Sequence, residues 1–199
     1  MKRMLVFGIP IIVLLSFFLI RKVDLIKKSA KQTFTEVIKY EQNYIPEKKK
    51  EGSCWTTSIA AQSNEKAWRC SVENGLYDPC FETQTKQIVC LVDPDDPYSG
   101  FELKLTEALP EFGTGNQQDV VWIAKLENGL TCSLNSGTAG DLNGEFYYYN
   151  CNNSAVLLGN WGKTFDKSQS LWKVRVAYLD ENFDQKGLTE TVNVLKAWK

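Results

Sequence analysis

The chain has 199 residues, 43% apolar and 24% charged, with six cysteines and no histidine. The missing imidazole excludes the usual Ser-His-Asp and Cys-His nucleophiles, His-ligated zinc and proximal-His haem. The formal charge of −1 conceals a split: residues 1–51 carry 11 Lys/Arg against 5 Asp/Glu, and residues 52–199 carry 12 against 19.

Lys2 and Arg3 precede an uncharged run of 17 residues, Met4–Ile20 (MLVFGIPIIVLLSFFLI). Its length is at the short end of what spans a bilayer and beyond a usual signal-peptide core. A soluble helix would show a polar face, and this run shows none. Ile20 is followed at once by Arg21-Lys22, without the small residues that cleavage needs, and the first cysteine is Cys54. Residues 1–20 are therefore read as an uncleaved, single-pass membrane anchor, with residues 4–20 in contact with lipid.

Residues 21–51 are read as a basic juxtamembrane stalk and linker. Val23, Ile26, Ala30, Thr33, Val37, Tyr40 and Tyr44 are spaced 3, 4, 3, 4, 3 and 4 apart, supplemented by Phe34 and Ile38. That spacing predicts a helix with a heptad seam. The seam would lie on lipid or on the body, or pair protomers as a short coiled coil, a homo-oligomer through the stalk. Pro46 and the following EKKKEG end the helix in an exposed, charged linker.

From Gly52 the pattern becomes short alternating or β-branched runs between turn residues, which predicts strands. The candidates are Cys54–Ala60, Ala67–Val72, Gln87–Val92, Phe101–Thr106, Gly144–Cys151, Leu171–Leu179 and Thr191–Trp198. Val120–Leu134 reads as a hairpin whose Asn128-Gly129 would form a type I′ turn. In Leu171–Leu179, Trp172, Val174, Val176 and Tyr178 share one face, and Lys173 and Arg175 share the other. The fold class expected for residues 52–199 is mainly β, an antiparallel barrel or sandwich stapled by disulfides.

Six cysteines in a His-free body suit three disulfides and hence an oxidising compartment. The count of Lys/Arg flanking the apolar run points the other way, placing the body in the cytoplasm. The cysteines are given precedence, so the body is expected outside the cytoplasmic membrane. Fifteen pairings exist. The favoured set joins Cys132 to Cys151 across the turn-rich centre at 140–144 and Cys80 to Cys90 across another short excursion, which leaves Cys54 for Cys70. A rival set joins Cys70 to Cys80 and Cys54 to Cys90.

The series GSCWTTSIA, AWRC, LYDPCF and QIVC, with the later Cys132, Cys151 and Ala197-Trp198, resembles a known type of domain. It is similar to the cysteine-bearing extracytoplasmic domain of uncharacterised bacterial, notably actinobacterial, secreted or membrane-anchored proteins. The resemblance spans most of residues 52–199, and its specific part is Gly52–Cys90. It implies an exported β domain and supplies no reaction.

Asp93, Asp95 and Asp96 sit in a Pro- and Gly-rich loop and are the candidate calcium ligands, although ordinary turns have the same composition. No GxSxG, GxxxxGK[ST] or GxGxxG pattern occurs, and no cysteine pair is closer than ten residues. The acidic body disfavours nucleic acid, and no cofactor is expected. Aromatic side chains remain. Strand alternation would set Tyr148 opposite to Tyr147 and Tyr149, and Trp161 lies between Asn160 and Gly162. Tyr148 and Trp161 are therefore the candidate ligand-binding residues. The leading expectation is a membrane-anchored extracytoplasmic binding or interaction module of the cell envelope, facing an envelope protein or glycan. The alternatives are an extracytoplasmic hydrolase using carboxylates or a Ser/Lys pair, and a purely structural envelope protein.

Overall fold

The computed structural model describes residues 32–96, 98–111, 119–135 and 137–199. The expected anchor, and the stalk up to residue 31, lie outside the described residues. No helix among the described residues is long and apolar enough to cross a membrane.

The body is mainly β; among the described residues there are thirteen strands, eleven of which close into two barrels. The first barrel uses β2 (Lys49–Thr57), β3 (Ala67–Val72), β4 (Gly75–Glu82), β5 (Ile88–Cys90) and β6 (Phe101–Leu105). Neighbours are antiparallel until the parallel β2–β6 pairing closes the ring. At that seam Lys49 stands opposite Glu102, and their charged ends meet at 2.7 Å. Gln87 donates to the other Glu102 oxygen at 3.1 Å, so one carboxylate ties both sides of β6.

The second barrel runs β7 (Ile123–Leu126), β8 (Thr131–Leu134), β10 (Glu145–Cys151), β11 (Ala155–Leu158), β12 (Lys173–Leu179) and β13 (Gln185–Trp198). Every neighbouring pair in it is antiparallel, and β13 meets β7 to close it. Two short strands add to this ring: β9 (Gly140–Leu142) beside β10, and β1 (Glu36–Ile38) parallel to the end of β13. The main core joins both barrels, with Ala67, Phe81 and Leu91 of the first packed among Trp122, Leu157, Val176 and Trp198 of the second. Closing both sheets removes most free edges, the hazard of an all-β body.

The segment from Thr33 corrects the helical stalk. Residues 36–38 are a strand, residues 49–57 are another, and the compact unit begins at Thr33 rather than Gly52. The Thr35 hydroxyl donates to Val194 O and accepts from Trp172 N, and Tyr40 packs on Phe81 and Trp122. Thr33–Ile38 (TFTEVI) is also rich in β-branched residues, which favour a pleated surface. Tertiary contacts of this kind override a three-heptad seam.

Turn chemistry differs from expectation in one place. Gly129 is left-handed at φ 85°, but Asn128 is not among the positive-φ residues, so the β7–β8 turn is not type I′. Gly129 N donates to Leu126 O, and Leu126 N to Leu130 O, the pattern of a type I turn closed by a glycine bulge. The type I′ turn lies instead at Asn143-Gly144, φ 55° and 82°, between β9 and β10.

All six cysteines are bonded: Cys54–Cys70, Cys80–Cys90 and Cys132–Cys151. Each bond joins residues directly opposite on adjacent antiparallel strands.

Candidate functional site

The tyrosine strand is a packing element. Between Tyr147 and Tyr149 the β10–β11 register slips, so two residues of β10 advance past one of β11 and Tyr148 is the extra residue of a bulge. The bulge undoes simple alternation. Tyr148 and Tyr149 both pack on the main core, whereas Tyr147 covers the outer cluster of Leu142, Val156, Leu158 and Ala177. Tyr149 is buried, its hydroxyl donates to Val121 O, and burial pushes its pKa up. Tyr147 lies over Gly140, where an added Cβ would meet its ring at 1.9 Å, so only glycine fits there. Tyr148 meets Trp161 edge to face at 5.2 Å, and both are half-buried against the core.

These contacts make the expected aromatic platform part of the wall that covers the barrel. Tyr148→Ala and Trp161→Ala are each expected to cost about 2 kcal/mol in urea denaturation, the loss of a half-buried aromatic. Unchanged midpoints would restore the platform reading.

The acidic loop is held by lysines. Lys125 reaches Asp93 at 3.4 Å and Asp95 at 2.8 Å, and Lys196 reaches Asp95 at 3.6 Å. Asp96 accepts from Tyr98 N, and Asp93 from Asp95 N, in tight side-chain turns. Ammonium groups thus take the place that a calcium ion would need beside Asp93 and Asp95, and the three carboxylates do not converge on one point.

A different concavity has the attributes of a ligand site. It is a cleft of about 560 Å³ where the β1–β2 connection, the turn before β3 and the end of β4 meet. Pockets favour such junctions, with an apolar floor and a few placed polar groups. Tyr40 and Phe81 supply the floor, 4.9 Å apart, and Trp122 backs both at 5.6 and 5.5 Å. Burial raises the Tyr40 pKa to about 12, so the phenol stays protonated, and its hydroxyl donates to Gln42 Oε1. The rim carries Asn43, Asn64 and Gln84 carboxamides and the Ser63 hydroxyl. Asn64 Nδ2 donates to Tyr40 O at 3.4 Å, which ties rim to floor.

Charges in the cleft nearly balance, with Glu41, Glu65 and Glu82 against Lys39 and Lys66. Ser63-Asn64-Glu65-Lys66 has the Ser-x-x-Lys spacing, as does Ser170-Leu-Trp-Lys173, a signal the sequence reading overlooked. In Ser-x-x-Lys enzymes the lysine lies beside the nucleophile. Here Ser63 and Lys66 are exposed in a turn, and among the described residues no hydrogen bond joins them. Ser170 instead donates to Thr33 O. Sequence reasoning misses the cleft because it places residues 39–43 in a helical stalk, whereas they fold against the turn before β3.

A second cleft, about 420 Å³, lies on the outward face of β11–β13 beneath the loop after Gly159. It gathers Lys163, Lys173 and Arg175, with Arg175 donating to Glu145. Lys173 and Arg175 face out while Val174 and Val176 face the core, in accord with the alternation in the sequence. Comparison with protein-family models, with curated proteins and with solved structures returns no match.

Proposed function

We propose that the chain is a membrane-anchored extracytoplasmic binding module that takes a neutral, hydroxyl-rich ligand, a glycan of the cell envelope, in the Tyr40/Phe81 cleft. The cleft's composition carries the reading. An aromatic floor suits the apolar face of a sugar ring, and carboxamides and a hydroxyl match sugar hydroxyls as both donors and acceptors. Near-neutral charge at the rim suits an uncharged ligand. Three disulfides support an oxidising compartment, and the uncharged Met4–Ile20 run supports attachment to the membrane.

The test is co-sedimentation of the full chain, in detergent, with insoluble envelope glycan. Asn43→Ala combined with Gln84→Ala is expected to reduce the bound fraction at least tenfold, with the melting temperature unchanged. Equal sedimentation of the double variant, or none by the native chain, overturns the reading. Protease added to spheroplasts is expected to remove the body, and full protection would place it in the cytoplasm.

A further inference from the structure

The first barrel buries two disulfides side by side. Cys54–Cys70 links β2 to β3 and Cys80–Cys90 links β4 to β5, while β3 and β4 are themselves paired. Across that shared boundary Trp68 stands opposite Cys80 and Cys70 opposite Tyr77. The Sγ atoms of Cys70, Cys80 and Cys90 consequently lie within 4.8 Å of one another. Among the described residues, no other three His, Cys, Asp or Glu side chains gather this closely. Cys54 Sγ, bonded to Cys70, is the fourth sulfur of the group.

We propose that these four cysteines form a latent zinc site: once both bonds are reduced, the barrel binds one Zn²⁺ through the thiolates of Cys54, Cys70, Cys80 and Cys90. Tetrahedral zinc with Zn–S bonds of about 2.3 Å sets its sulfurs about 3.8 Å apart. The sulfurs of Cys70, Cys80 and Cys90 already lie within 4.8 Å of one another; reduction lets each bonded pair open to the zinc spacing, and Cys54 Sγ, outside that trio, rotates in beside Cys70. Four sulfurs with no histidine or carboxylate among them form a soft ligand set, the kind that selects zinc over magnesium or calcium. All four cysteines are buried, in a shell that includes Trp68, Val72, Ile88 and Phe101, so no position is left open for water. That describes a structural site rather than a catalytic one.

The chemistry balances. Each disulfide takes two electrons and two protons from a dithiol or phosphine reductant and yields two thiols. Zinc then displaces four protons from four thiols. The metal would tie β2, β3, β4 and β5 together where two covalent bonds did so before. In a reducing compartment, where thiols persist, the same sulfurs would carry metal, so the metal content of the isolated chain reports the side of the membrane on which it folded. This inference is independent of the proposed glycan cleft.

The test uses the full chain in detergent, reduced with a phosphine under anaerobic conditions and titrated with Co²⁺, then Zn²⁺. The expected result is one metal per chain, thiolate-to-cobalt absorption that zinc abolishes, and a higher melting temperature for the metal-bound than for the reduced, metal-free chain. Cys80→Ser is expected to weaken binding at least tenfold, while a Cys132→Ser, Cys151→Ser double variant still binds one metal. If the reduced chain unfolds, zinc-driven recovery of the β circular-dichroism signal replaces the melting measurement. No cobalt–thiolate absorption, or binding that survives replacing all four barrel cysteines with serine, overturns the proposal.

Discussion

Trp198→Ala is expected to destabilise the body by about 4 kcal/mol, in the range for a buried tryptophan cut back to alanine. Trp198 is 2% exposed and stands at the closure of the second barrel. It is opposite Ile123 on β7 and Ile38 on β1, and its carbonyl accepts from Trp122 N at 2.9 Å. Lys125 and Lys196 lie 5.6 and 5.7 Å from its ring, the same two lysines that hold the acidic loop. The substitution thus leaves a cavity at the point where three strands meet and loosens a loop of the first barrel. Thermal unfolding should show a fall of roughly 12 °C for a body of this size. Lys196→Ala, which removes one cation and leaves the ring, should cost about 1 kcal/mol or less. A Trp198→Ala loss as small as that of Lys196→Ala would mean that the barrel is not closed through this residue.

Alternation made much of this β architecture legible. Ala67–Val72 is a strand with the bounds the sequence suggested, and β6, β10 and β12 fall within or nearly match their candidate runs. Four strands carried no such signal, the three-residue β9 among them. β4 contains Asp78-Pro79, and proline argues against a strand interior. Its place is explained by pairing: β4 advances three residues from Tyr77 to Cys80 while β3 advances two, so Pro79 sits in a bulge. β11 is four buried residues, Ala-Val-Leu-Leu, which periodicity cannot distinguish from a piece of helix. β1 was hidden by a coincidental heptad. The error at β1 propagated to the site, because the cleft needs Tyr40 and Asn43 folded back onto Asn64 and Phe81. Register slips such as the one at Tyr148 arise from how two strands fit, and one strand's sequence does not contain that information.

Asp78→Ala is expected to cost about 2 kcal/mol and to loosen the wall of the cleft, because Asp78 anchors the turn that leads to it. Its side chain is fully buried. Ser58 Oγ donates to one carboxylate oxygen, Ile59 N donates to the other at 3.3 Å, and Arg69 Nε lies 3.9 Å away. Ser58 Oγ in turn accepts from Ala60 N at 3.1 Å and Ala61 N at 2.8 Å, so one carboxylate orders the chain from Ser58 to Ala61. Removing it leaves buried donors without partners, the costly half of losing a hydrogen bond.

The pH dependence separates Asp78 from the other carboxylates. Burial raises its pKa above 3.8, and the Ser58, backbone and Arg69 contacts offset that only in part. The folded state therefore holds this proton more tightly than the unfolded one, and the stability contributed by Asp78 falls as pH rises from 3.8 through its folded value. Glu102 has the opposite sign: the Lys49 and Gln87 hydrogen bonds lower its pKa below 4.5, so its contribution is lost as pH falls through the folded value. Denaturant unfolding of the native chain and of Asp78→Asn across the acid range isolates the first effect. Subtracting the Asn variant from the native chain should give a stability difference that declines as pH increases, whatever the shared acid loss from Glu102. A flat difference would mean that Asp78 titrates alike in both states, and that the Ser58–Ala61 turn is ordered by something other than its buried carboxylate.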